Sequence, residues 1–91
     1  MDTITLKVAG SSDPKIVAGA IVHNIREGKE IEIMVMGPKS VNNAIKAVAI
    51  SREYIGNEGI EITCRPEFAH LTIDGEEKSA VKLVSLTAKK Q

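Results

Sequence analysis

Aromatic residues are scarce: Tyr54 and Phe68 are the only two among 91 residues, and tryptophan is absent. The core must therefore be aliphatic, and little ring surface is left for stacking nucleobases. Cysteine is nearly missing as well. Cys64 stands alone, which excludes an internal disulfide and fits a reducing cytoplasm. No apolar run approaches the roughly 20 residues of a membrane span. The first residues lack the basic segment and long apolar run of a signal peptide, so the expected location is the cytoplasm. Net charge is absent too, because 12 basic and 12 acidic residues cancel. A strongly basic chain would have pointed to nucleic acid outright; here only the distribution of charge can do so. With 43% hydrophobic residues the chain is not disordered. Its length suits one domain over residues 1–91, with a core at about 3–87 and a tail at 88–91.

What is present is a regular pattern of elements. Thr3 to Val8 alternates strictly, as a half-buried strand does. Ala9 to Asp13 forms a polar turn, with Asp13 or Ser12 as helix cap and Pro14 at the first helical position. The first helix carries Val17, Ala20, Ile21 and Ile25 on one face and stops at Gly28. Glu30 to Met36 reads as a central strand. Gly37-Pro38 opens a second helix that Gly56 closes, with Val41, Ala44, Ile45 and Val48 as its expected core stripe. Ile60 to Arg65 alternates again; Pro66 marks a bulge or an edge, and Phe68 to Ile73 continues the strand. Asp74-Gly75 signals a hairpin turn, with Glu76 and Glu77 expected to extend the loop. Ser79 to Thr87 is the last strand, and Ala88 to Gln91 a frayed tail. The order is βαβαββ. A right-handed crossover joins the first two strands in parallel, which predicts an α/β two-layer fold with both helices on one face of a four-stranded mixed sheet.

The second helix holds the leading functional candidate. Beside its apolar stripe runs a face of Lys39, Asn42, Asn43 and Lys46, with no carboxylate until Glu53. Lysine offers a point charge to phosphate, and asparagine can bond phosphate, sugar or base edge. Asparagine is a mediocre helix former, so two in succession suggest a hydrogen-bonding partner, across a dimer interface for example. The bland alternative is a solvated helix face.

The other constellations carry less. Backbone donors in the Gly10 to Lys15 loop could hold a phosphate, but a capping Asp13 would occupy them, and the GxxxxGK[ST] pattern is missing. The Asp74 to Lys78 hairpin sets three acids against one base, which phosphate would repel. Cys64 and His70 lie six residues apart on one strand, about 20 Å by strand rise, a spacing that a bulge at Pro66 would loosen, so a nucleophile–base pair is disfavoured. The histidines lack ligand spacing for zinc. The expectation is therefore a protein that is not an enzyme and uses neither cofactor nor metal, with no small-molecule substrate.

Three blocks resemble one family. They are Ser11-Ser12-Asp13-Pro14-Lys15-Ile16-Val17-Ala18-Gly19-Ala20-Ile21, Asn43-Ala44-Ile45-Lys46-Ala47-Val48-Ala49-Ile50, and Ile73-Asp74-Gly75-Glu76-Glu77-Lys78-Ser79-Ala80-Val81-Lys82-Leu83. Together with Pro66 and Phe68 they are similar to the bacterial stage V sporulation protein S family over about residues 3–86. Asn43 stands where that family often has glutamine. The resemblance implies an Alba-like fold, nucleic-acid binding with a regulatory or chromatin-like outcome, and homodimers or higher homo-oligomers. Gly37 to Val48 is also similar to the Gly-x-x-I-x-x-A-V helix of archaeal chromatin Alba proteins, whose first strand–helix loop contacts DNA through basic residues. Here that loop carries Lys15 alone, beside Asp13. The expected contacts, mostly to phosphate, are Lys15, Lys39, Asn43, Lys46 and Arg52. The competing expectation is an oligomeric scaffold or adaptor in spore development, with the helix face as its interface.

Overall fold

The computed structural model describes residues 2–90, and the side chains of residues 2–84. In chain order it comprises β1 (Thr3–Val8), α1 (Pro14–Arg26), β2 (Glu30–Val35), α2 (Pro38–Ile55), a 3-10 turn (Gly56–Glu58), β3 (Ile60–Ile73) and β4 (Glu76–Lys90). The sheet order is β1-β2-β4-β3, with β1 parallel to β2 and both other pairings antiparallel. Both helices lie on one face of this mixed sheet, as the βαβαββ pattern implies.

Alternation sets which strand side chains face the helices. Val8, Ile31, Ile33, Val35 and Leu83 are buried there, with Leu6 and Val81 packed beside them. Asp13 is the residue that caps α1: its carboxylate accepts from the Lys15 backbone N–H at 2.9 Å, while Ser12 Oγ accepts from the Ala9 N–H. The α1 side chains driven inward are Ala18, Ile21, Val22 and Ile25.

Three expectations need correction. The buried face of α2 runs through Ser40, Ala44, Ala47, Val48, Ser51 and Ile55, and Ile45 is 49% exposed rather than in the core. The reason is close packing by small residues. The Ser51 hydroxyl donates to the Ala47 carbonyl at 2.7 Å and reaches the Ala18 carbonyl at 3.5 Å, so the two helices approach too closely for the stripe to centre on Ile45. The hairpin loop is only two residues long. Asp74 (φ 51°) and Gly75 (φ 77°) take left-handed conformations that match strand twist, so Glu76 and Glu77 pair in β4 opposite Ile73 and Thr72. The β4 backbone also continues the ladder through Ala88, Lys89 and Lys90, opposite Ile62, Glu61 and Ile60, where a tail was expected; Gln91 lies outside the described residues. Pro66 sits on β3, an edge strand, where its missing N–H does no harm. The register shift falls just before it, between Thr63 and Arg65.

Candidate nucleic-acid interface

The two helices run side by side in the same direction. Gly10 meets Asn43, Ala18 meets Ser51, and Arg26 meets Glu58, a nearly constant sequence offset. By that offset Lys15 stands level with the turn of α2 that carries Lys46. The β1–α1 loop packs directly on the start of α2. A Cβ placed on Gly10 would come within 3.1 Å of Lys39 Cβ, so a residue without a side chain permits this approach. Asn43 secures the same contact, its Nδ2 donating to the carbonyl oxygens of Gly10 (3.0 Å) and Ala9 (3.3 Å). The hydrogen-bonding partner expected for this asparagine is thus within its own chain.

Lys39 thus lies against this loop, Lys15 follows it in the first turn of α1, and Lys46 is two turns further along α2; all three are exposed. Lys39 and Lys46 lie two turns apart on one side of α2, about 10 Å along its axis. Among the described residues, no carboxylate forms an ion pair with any of the three. Asp13 is the acid nearest in sequence to Lys15, and its carboxylate is engaged by the helix cap. Arg52 stands apart. It lies near the far end of α2 on another flank, and its guanidinium donates to the Ile62 carbonyl at 3.1 Å, tying α2 to β3. Asn42, on the outer side of α2, is exposed.

Helix electrostatics make this placement unusual. Neither helix carries an acid in its first turn, and Lys15 and Lys39 sit where the macrodipole repels cations. Each such lysine costs roughly 0.3–1 kcal/mol of helix stability. At α1 the positive end is met by Asp13. At α2 the cap is Gly37 (φ 84°), which provides no side-chain acceptor, and Pro38 removes one donor. The backbone N–H groups that open α2 thus point, with Lys39, toward any anion that approaches.

Elsewhere two arginines and two histidines lie beside carboxylates. Arg26 forms a bidentate ion pair with Glu58, Arg65 pairs with Glu67, His23 lies 3.0 Å from Glu27, and His70 lies 3.4 Å from Glu77. The Arg26 guanidinium lowers the Glu58 pKa from its ordinary value, mainly through the hydrogen bond, and Glu58 raises that of Arg26. Cys64 is half-buried, and desolvation raises its thiol pKa. It lies on the same strand as His70, at the register shift between Thr63 and Arg65.

A family model for stage V sporulation protein S matches residues 4–88. The chain belongs to the stage V sporulation protein S family. Among solved structures it is similar to Alba from Thermoplasma volcanium, with a TM-score of 0.60 and 15% sequence identity over 88% of this chain and 93% of that chain. At that identity the likeness establishes the fold, which is Alba-like. This stage V sporulation protein S member keeps both of its aromatic residues out of the core: Tyr54 is 50% and Phe68 81% exposed. Sequence reasoning had allowed almost no ring surface. Pairing with Val81 puts Phe68 on the helix-bearing side of β3, yet on this edge strand it stays exposed. No helix among the described residues is long and apolar enough to cross a membrane.

Proposed function

We propose that the protein binds nucleic acid through phosphate contacts made by Lys15, Lys39 and Lys46, around the open N-terminus of α2. Asn43 supports the site from behind by holding the β1–α1 loop, and Arg52 adds a contact only where a strand of nucleic acid extends past the far end of α2. The observation that carries this reading is that Lys39 lies against the β1–α1 loop, with Lys15 and Lys46 on the neighbouring helix turns, all exposed and with no carboxylate partner among the described residues. Two of them occupy first-turn positions that local helix stability disfavours. The protein would act in the cytoplasm as a homo-oligomer with a regulatory outcome.

Few contacts imply modest affinity with a shallow salt dependence. Three neutralised phosphates of B-DNA give a slope of about −2.7 in log affinity against log salt. Gel shifts at low salt against single- and double-stranded DNA and RNA test the reading and choose the ligand. The wild type should shift at least one of them, and the Lys39→Glu/Lys46→Glu double variant should shift none while keeping its circular dichroism spectrum. A double variant with wild-type affinity would remove these lysines from the site.

A further inference from the structure

The outer side of the helix layer carries a groove that the lysine contacts do not use. Gly19, Val22, His23 and Arg26 of α1 and Tyr54 of α2 line it, around a volume of about 420 Å³. Gly19 is its least expected member. A glycine inside a helix is destabilising relative to alanine. Packing does not require one here, because a Cβ built on Gly19 would meet nothing within 4 Å. Nor does the backbone, since Gly19 lies in the middle of α1 and its φ is not positive. The missing side chain leaves open helix backbone at the floor of the groove, which permits the close approach of a ligand. Tyr54, half exposed, stands across from it and is the chain's only tyrosine.

The groove is continuous with the lysines. On α2, Lys46, Ile50 and Tyr54 follow one another at i, i+4 and i+8; on α1, Lys15, Gly19, Val22 and Arg26 do so at i, i+4, i+7 and i+11. Each set therefore shares one side of its helix. Because the helices run in the same direction, both stripes lead from the lysines to the groove, and Tyr54 is about 12 Å beyond Lys46 along the axis. The charge changes along this path. Lys15 and Lys46 have no carboxylate partner among the described residues, whereas at the groove Arg26 is held by Glu58 and His23 lies beside Glu27. The first end suits a phosphate, and the second an uncharged group with a flat face.

We propose that a single strand of nucleic acid runs from the lysines along this seam and stacks one unpaired base on Tyr54, over Gly19. This deepens the functional reading above and rests on it: the lysines hold phosphates, and Tyr54 selects an unpaired strand. A duplex keeps its base faces stacked on one another and offers none to the ring. Stacking requires only a π-face, so it tolerates every base. Arg26 and Glu58 satisfy each other and add no phosphate contact at this end.

The test uses tyrosine emission. With one tyrosine and no tryptophan, the fluorescence of the chain reports Tyr54 alone. Unstructured single strands of DNA or RNA, about 12 nucleotides long, should quench it saturably at low salt. The matching duplex and inorganic polyphosphate offer phosphates without exposed base faces and should not quench it. In filter binding, Tyr54→Ala should lower single-strand affinity at least about fivefold, whereas Tyr54→Phe, which keeps the ring, should bind like wild type. The slope of log affinity against log salt should be the same in Tyr54→Ala as in wild type, because stacking displaces no counterions. Gly19→Leu should fill the groove, lowering single-strand affinity by a similar factor while the melting temperature holds or rises. Wild-type single-strand affinity in Tyr54→Ala or in Gly19→Leu overturns the stacking proposal and leaves the lysine reading standing. So does quenching by polyphosphate equal to that by single strands, or emission that follows protein concentration alone because a second copy covers the ring. Single-strand binding by Lys39→Glu/Lys46→Glu at wild-type strength is the separate failure of the lysine reading, and it removes the path proposed here as well.

Discussion

Along the first half of α2, Lys39 and Lys46 have no ion-pair partner among the described residues, whereas at the end of α1 Arg26 is gripped on two atoms by Glu58. The two ends of the helix layer thus use the same charges in opposite ways. At the paired end, cation and carboxylate offset each other, and Arg26 also suits the negative pole of α1. At the other end, Lys15 and Lys39 oppose the local dipole, and both face solvent, as does Lys46. Whole-chain neutrality therefore conceals one flank whose field reaches outward and another whose field closes on itself.

Matched charge reversals should break or confirm this contrast. The largest effect is expected from Lys39→Glu/Lys46→Glu, which should weaken nucleic-acid binding by at least about a hundredfold at low salt, given the steep dependence on each phosphate contact. Arg26→Glu at the paired end should change binding by less than about twofold. Filter binding of the two variants beside wild type would show it, and equal losses would mean that net charge, not the lysine cluster, governs affinity.

Next in size is the link between loop and helix. Asn43→Asp keeps the shape of the side chain but replaces its donor with a carboxylate facing the carbonyls of Ala9 and Gly10. Losing both bonds should cost about 1 kcal/mol or more, a melting-temperature fall on the order of 5 °C for a domain of this length. An unchanged melting temperature would mean that Gly10 packing alone holds the loop.

Lys39→Glu by itself should act in the opposite direction on stability. It replaces a cation with an anion in the first turn of an uncapped helix, so a gain of roughly 0.3–1 kcal/mol is expected together with weakened binding. Urea denaturation measures the first and gel shifts the second. Loss of both stability and binding would assign Lys39 a structural role through its contact with Gly10.

The sequence made some of this legible and not the rest, for physical reasons. Period-2 and period-3.6 patterns placed every strand and helix, and Asp13-Pro14 marked the start of α1 to the residue. The centre of the buried face on α2 was missed because side-chain size was read as burial. Ile45 looked like core, yet Ala47 and Ser51 are what allow α1 to approach. The Lys39 and Lys46 face could be seen in the helical repeat. The loop that joins Lys15 to them could not, because it depends on Gly10 lying against Lys39 and on a hydrogen bond from the Asn43 side chain to a carbonyl over thirty positions away. The exposure of Phe68 was equally hidden, since it depends on β3 lying at the sheet edge, which the strand order decides.

The smallest expected effect concerns the paired end and its dependence on pH. Arg26 lowers the folded-state pKa of Glu58 below its ordinary value of 4.5. As pH falls, the unfolded chain takes up this proton first and the folded chain later. The contribution of the pair is therefore complete above about pH 4.5 and fades as acid reaches the depressed folded-state value. Glu58→Gln removes that titration. The stability gap between wild type and Glu58→Gln should be widest near neutral pH and should close in acid, while both chains still lose stability from other carboxylates. High salt should narrow the gap at neutral pH, since the pair is solvent-exposed. Melting curves at several pH values measure this directly. A gap that stayed constant from neutral pH into acid would show that Glu58 supports the 3-10 turn by shape or hydrogen bonding rather than by its charge, and the paired end would then lose its electrostatic contrast with the lysine flank.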